Sequence, residues 1–126
     1  MLMTHILQVA LGGALGAVAR YLTNVAVMRG IGPGFPWGTI IVNITGSFLM
    51  GVLAVWLAQR GMTRHAPFLM TGVLGGFTTF SAFSLDTLTL WERGDMGLAL
   101  AYVAGSVGLS ILALAAGLAV TRGIFA

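Results

Sequence analysis

The chain has 126 residues, of which 58% are hydrophobic and only 7% are charged. A soluble domain carries about 25% charged residues, so this chain cannot cover itself with a solvated surface and is predicted to lie in lipid. It has no cysteine, which excludes disulfides and thiol chemistry. Its net charge of +3 comes from dispersed arginines, which argues against nucleic acid as a partner.

Four stretches are long enough to cross a bilayer, since a transmembrane helix takes about 20 apolar residues. Little of the chain remains outside them, so we predict an all-α membrane protein with one domain over residues 1–126. The predicted spans are about residues 6–28, 37–57, 67–90 and 96–121.

The first span carries a single charged residue, Arg20. An arginine inside a membrane costs about 2.5–3.5 kcal/mol on insertion scales, so it snorkels, pairs or faces water. It either reaches the nearer membrane surface or forms a fixed positive charge at the mouth of an aqueous vestibule, where it would concentrate anions.

The second span contains a polar stripe. Thr39, Asn43, Gly46 and Ser47 share one helical side by their spacing. Asn43 can donate two hydrogen bonds and accept others at its carbonyl oxygen. It serves either as a link between helices or as part of a polar path.

The third span contains the run Gly72–Ser84, which has three glycines, four hydroxyl residues and three phenylalanines. We predict that the helix breaks at Gly75–Thr78, near the middle of the span. Non-helical backbone occurs at membrane depth only where protein or a water-filled cavity provides partners for its N–H and C=O groups. The freed carbonyls either coordinate a cation such as Na⁺ or belong to a simple kink satisfied by nearby hydroxyls.

Phe80 and Phe83 follow the break at a spacing that places both rings on one face. They are either ordinary packing residues or a pair whose positive ring edges face an anion. Thr79 and Ser81 would supply hydroxyl donors beside them. Asp86, at the end of the span, is expected to meet an arginine or the membrane surface.

In the fourth span, Tyr102, Ser106 and Ser110 are spaced by four, which aligns three hydroxyls on one stripe of a helix. The stripe is either packing or the wall of a wet path. Arginines are balanced between the two sides of the membrane, three against three, whereas orientation is normally set by an excess. The chain therefore either inserts one way through weak cues or inserts both ways and pairs antiparallel with itself.

Three motifs resemble those of one family and together cover three of the four spans. They are Gly13-x-x-Gly16-Ala17-x-x-Arg20-Tyr21, Gly38-Thr39-x-x-Val42-Asn43-x-x-Gly46-Ser47-Phe48 and Gly72-x-x-Gly75-Gly76-Phe77-Thr78-Thr79-Phe80-Ser81-x-Phe83-Ser84. The chain resembles the Fluc (CrcB) fluoride channels of microbes in these motifs, in length and in span count. Ala82 departs from the threonine or serine that is common in the family.

The resemblance implies an antiparallel, dual-topology homodimer in the inner membrane, with two pores that passively export fluoride and lower its toxicity. It further implies a structural Na⁺ at the dimer centre, held by backbone carbonyls of Gly75 and Thr78 of each subunit. The residues implied to line the pore are Asn43, Thr79, Phe80, Ser81, Phe83, Tyr102, Ser106 and Ser110, with Arg20 in the vestibule.

Two alternatives belong to other classes. A small four-helix, dual-topology drug/proton antiporter needs a membrane-embedded carboxylate, and the first, second and fourth spans contain none. A scaffold subunit would not require hydroxyls aligned on one helix. An enzyme is not expected, because no nucleophile has a readable buried partner.

Overall fold

The computed structural model describes residues 1–126, which fold into helices and short connections. Helix α1 is Leu2–Gly30, α2 is Trp37–Gln59 and α5 is Met96–Ile124, with the third span built from several pieces between them. Four helical segments are long and apolar enough to cross a membrane, as predicted. Their ends lie up to four residues beyond most predicted bounds, because apolar composition marks only the lipid-facing part of a helix.

The third span is broken near its middle, which confirms the prediction. After the turn Thr63–His65 it runs as the π-helical stretch Pro67–Leu74, the single α-turn α3 (Gly75–Phe77) and the helix α4 (Ser81–Glu92). The interruption is at residues 78–80, where Thr78 is extended with φ −86° and ψ 161°. The predicted break at Gly75–Thr78 overlaps the observed one only at Thr78, because Gly75–Phe77 stay helical.

Glycines let the helices approach closely at two crossings. A Cβ on Gly12 or Gly16 of α1 would collide with carbonyl oxygens of the third span, those of Phe68 and Val73 respectively. A Cβ on Gly117 of α5 would collide with the Phe48 carbonyl oxygen of α2. Helices in lipid associate through such close packing of small residues. The first crossing seats α1 against the broken span, and the second seats α5 against α2.

Only 19 of the 126 residues are buried, so one copy of the chain has little interior. The buried cluster contains Phe83, Leu90 and Tyr102. The cluster lies toward the end of the molecule where the connections 31–36 and 93–95 meet. A hydrogen bond from Arg93 Nη2 to the Gly34 carbonyl oxygen (2.8 Å) joins these two connections. We call this end the loop end, and we call the opposite end, where both termini lie, the termini end.

We predict that Gly117→Ala lowers the free energy of unfolding by about 1–3 kcal/mol, because the added methyl group forces α5 away from α2. Thermal unfolding of the purified protein in detergent measures this. Gly123→Ala on the same helix is the control, since a Cβ there has no neighbour within 4 Å. Equal melting temperatures for the two variants would contradict the close crossing.

Candidate functional site

A groove of about 470 Å³ lies between α2, the break in the third span and α5. Eight of the eleven residues predicted for the pore, the vestibule and the cation site line it, and they come from α2, the broken third span and α5. They are Asn43, Gly75, Thr78, Thr79, Phe80, Phe83, Ser106 and Ser110. The structure thus brings the polar stripes of the second and fourth spans together with the break of the third. Ser81, Tyr102 and Arg20 do not line the groove.

A reciprocal pair of hydrogen bonds joins Asn43 of α2 to Thr79 in the break. Asn43 Nδ2 donates to the Thr79 carbonyl oxygen (2.9 Å), and Asn43 Oδ1 accepts from the Thr79 backbone N–H (2.8 Å). A buried backbone group without a partner is costly. The Asn43 carboxamide therefore satisfies the backbone where the helix cannot, and it acts as a clamp on the break.

The clamp frees one particular carbonyl, that of Gly75. In a continuous helix the N–H of residue 79 bonds the carbonyl of residue 75, but the Thr79 N–H is bound to Asn43 instead. A second replacement frees the carbonyl of Thr78, because the Ala82 N–H donates to Thr79 Oγ1 (3.1 Å) rather than to its own helical acceptor. The carbonyls of Gly75 and Thr78 therefore both lose their helical donors. Those of Gly76 and Phe77 also lack a backbone donor in the break.

The hydroxyl groups near the groove divide into two kinds. Those of Thr78 and Ser84 donate to carbonyls one turn earlier, at 2.9 Å and 3.0 Å, and are used locally. Those of Ser106 and Ser110 are buried without a partner in the chain. Because a buried hydroxyl is expected to be hydrogen-bonded, these two serines are available to something that occupies the groove. Ser81 Oγ lies 3.3 Å from Thr79 Oγ1 and supports the break from outside the groove.

A row of aromatic rings begins at the groove wall and continues behind it. The ring centroids of Phe80 and Phe83 are 5.6 Å apart, and those of Phe83 and Tyr102 are 5.2 Å apart. Phe80 is 77% exposed in the single chain, whereas Phe83 is 9% exposed and Tyr102 is fully buried. Tyr102 therefore lies behind the groove rather than on its wall.

The Tyr102 hydroxyl donates to Asp86 Oδ2 at 3.0 Å. Asp86 therefore bonds a tyrosine rather than the expected arginine, and its position at the membrane surface stays a prediction. Sequence spacing could not have found this pair, since its members lie on α4 and α5 and meet only through the packing of those helices.

Arg20 is half-buried and donates from Nε to the Gly76 carbonyl oxygen at 3.1 Å. It thus satisfies the backbone next to the freed Gly75 carbonyl and holds α1 against α3. Its role in a vestibule stays a prediction. No three His, Asp or Glu side chains come together as metal ligands, so a cation at the break would depend on carbonyl and hydroxyl oxygens.

The sequence profile of one family, described as "CrcB-like protein, Camphor Resistance (CrcB)", matches residues 7–118. The chain is 69% identical over 122 residues to the "Fluoride-specific ion channel FluC" of Cereibacter sphaeroides, covering 97% of this chain and 98% of that one. It is 63% identical over 120 residues to the protein of the same name from Paracoccus denitrificans, covering 95% and 96%.

The similarity extends to a more distant relative, the "Fluoride-specific ion channel FluC" of Caulobacter vibrioides, at 54% identity over 127 residues, covering 98% and 100%. Each match spans nearly the whole of both chains, so the positions of the clamp, the break and the serine stripe lie within the matched region. The chain belongs to the CrcB family of fluoride-specific ion channels and is not an enzyme.

Proposed function

We propose that this protein is a fluoride-selective passive channel that exports fluoride from the cytoplasm and lowers its toxicity. The observation that carries the proposal is the groove, in which the unpartnered hydroxyls of Ser106 and Ser110 lie opposite the clamped break. No acid, histidine or arginine lines it, as expected of a path that conducts an anion without proton exchange.

Fluoride is small and strongly hydrated, so a narrow path must replace its water with other donors in series. The two serine hydroxyls supply such donors on α5. Aromatic ring edges carry partial positive charge, and Phe80 and Phe83 stand 5.6 Å apart beside the serines. Several weak contacts in sequence let an ion enter and also leave, which conduction requires.

We further propose that two copies of the chain pair antiparallel, so that each dimer holds two grooves and two pores. In one copy the Phe80 ring and the Gly75 backbone are exposed beside the groove, although both lie at membrane depth. Freed carbonyls facing lipid are costly, and a second copy would cover them.

The arginine distribution permits both insertions. Three arginines lie toward the termini end, Arg60, Arg64 and Arg122, and two toward the loop end, Arg29 and Arg93. Arg20 belongs to neither end, because it is bonded within the membrane to Gly76. An excess of one is a weak cue for orientation, which supports dual topology in the inner membrane, with lipid around the dimer.

A structural Na⁺ at the dimer centre is the third part of the proposal. Unwound carbonyls within a membrane coordinate sodium in other transport proteins. Here the clamp and Thr79 Oγ1 remove the helical donors from the carbonyls of Gly75 and Thr78. Two such carbonyls from each copy would give four oxygen ligands.

The alternative is a drug/proton antiporter. That mechanism needs an acid inside the membrane path, and the groove has none. The third span has two carboxylates, Asp86 and Glu92, and neither lines the groove. Asp86 is bound to Tyr102. No observation favours that mechanism.

The flux prediction is that liposomes containing the purified protein release fluoride rapidly down its gradient, with no proton gradient required. Chloride release stays at the rate of protein-free liposomes, because the donors suit a small anion. Ion-selective electrodes measure both rates. Equal release of the two anions, or release of neither, would refute the proposed selectivity.

For the clamp, we predict that Asn43→Ala slows fluoride release about tenfold or more, as expected when two buried hydrogen bonds are lost. In this variant the Thr79 N–H can bond the Gly75 carbonyl, which is then no longer available to Na⁺. We therefore also expect NaCl to raise the melting temperature of the variant no more than choline chloride does. Ser47→Ala is the control, since Ser47 lines the groove without a hydrogen bond to the break. If Asn43→Ala is still stabilised by sodium, the cation site does not depend on the hydrogen bonds of Asn43, and this part of the prediction is refuted.

For the rings, we predict that Phe80→Ile slows fluoride release about tenfold, the scale of one lost aromatic contact, with little change in the melting temperature. Phe83→Ile slows release and also lowers the melting temperature, because Phe83 is buried against Tyr102. Flux assays and thermal unfolding of each variant test this. If both variants conduct normally, the rings serve packing alone.

A further inference from the structure

The charged side chains of the chain are unevenly divided between its two ends. All three acids belong to the half nearer the loop end, Asp86 and Glu92 on α4 and Asp95 in the connection 93–95. The termini end has three arginines and no acidic side chain. The chain has one ion pair, between Arg93 and Asp95 at the loop end (3.7 Å). No carboxylate therefore neutralises the arginines of the termini end.

One of these arginines, Arg60, is held in place by aromatic rings. It follows the last residue of α2, and its guanidinium carbon lies 5.3 Å from the ring centroid of Trp56 and 5.6 Å from that of Phe125. Phe125 follows the last residue of α5, and its ring meets the Trp56 ring edge to face, with centroids 5.5 Å apart. A cation over a ring face is attracted by the negative face of the ring. The ends of two helices therefore position one guanidinium.

The positioned guanidinium of Arg60 has no hydrogen-bond acceptor within the chain. Three of the six arginines donate hydrogen bonds from their side chains, namely Arg20, Arg64 and Arg93. Arg60 donates none and is exposed. A guanidinium carries five N–H donors in a planar fork that fits two oxygens of a phosphate. Arg60 therefore presents a fixed, unused donor set to a phosphate group.

A second charge and an apolar surface lie beside Arg60. Arg122 precedes Phe125 by three residues on α5, so their side chains lie on the same side of that helix. Val120 and Ile124 of α5 are 54% and 65% exposed. Tryptophan is enriched at the depth of the lipid headgroups, which indicates that Trp56 and Arg60 lie at that depth. The surface therefore combines positive charge with apolar side chains that acyl chains can cover.

We propose that the termini end carries a binding site for an anionic phospholipid. Arg60 donates two parallel hydrogen bonds to the headgroup phosphate, and Arg122 supplies a second positive charge. The acyl chains lie along Val120 and Ile124, a contact that a free phosphate ion does not make. The site does not depend on fluoride conduction, and antiparallel pairing would place one such site at each membrane surface.

Native mass spectrometry of the purified protein tests the site, with phosphatidylglycerol and phosphatidylcholine of the same acyl chains as probes. We expect phosphatidylglycerol to bind about fivefold more tightly, because the headgroup of phosphatidylcholine carries its own cation. Arg60→Gln is expected to weaken phosphatidylglycerol binding about fivefold, the scale of one arginine at an anionic membrane surface. Arg122→Gln weakens binding in the same direction, and it provides the test if Arg60→Gln fails to fold.

Two further variants separate a built site from general attraction to positive charge. Trp56→Leu keeps every arginine but removes one ring that holds Arg60, and we expect about threefold weaker binding, the scale of one exposed cation–π contact. Arg29→Gln is the matched control. Arg29 is an exposed arginine in the last turn of α1, at the loop end, and we expect this variant to bind phosphatidylglycerol as tightly as the parent does.

Equal binding of the two lipids by the parent, or equal losses in Arg60→Gln and Arg29→Gln, would overturn the proposal. Unchanged binding in Trp56→Leu would also overturn it, because the rings would then contribute nothing to the site. Displacement of bound phosphatidylglycerol by millimolar inorganic phosphate would show a site for the free ion, which overturns the assignment to lipid. None of these measurements involves fluoride release, so a failure of the proposed function would leave their result unaffected.

Discussion

The reciprocal hydrogen bonds between Asn43 and Thr79 are the interaction on which the rest of the site depends. A helix interrupted inside a membrane exposes backbone groups that lipid cannot satisfy, and the Asn43 carboxamide satisfies both groups of one residue at 2.8 and 2.9 Å. By binding the Thr79 N–H it also withholds that donor from Gly75. One side chain therefore stabilises the break and leaves a carbonyl free for a ligand.

Close helix crossings place that clamp. Gly12 and Gly16 let α1 reach the broken span, so that Arg20 can bond the Gly76 carbonyl. Gly117 lets α5 reach α2, which sets the serines of α5 beside Asn43. Larger residues at these crossings would separate the helices, and the groove would lose a wall.

The two phenylalanines show how incomplete one copy of the chain is. Phe83 is buried against Tyr102, whereas Phe80, the N-cap residue of α4, is 77% exposed. The groove is open beside this exposed ring, and the freed carbonyls lie at the same depth. Antiparallel pairing would cover these groups and bring two sets of carbonyls together, which links the proposed sodium site to the proposed pores.

The sequence by itself determined the membrane class, the four spans, the interruption of the third and the hydroxyl stripe of the fourth, because apolar length and helical spacing are local properties. Its motifs also identified the family. Only the tertiary structure decided that the break lies at residues 78–80 rather than at 75–78, since the hydrogen-bond partner of the Thr79 backbone is Asn43 on another helix. The Tyr102–Asp86 pair likewise depends on a contact between two helices, and such contacts leave no periodic signal in a single chain.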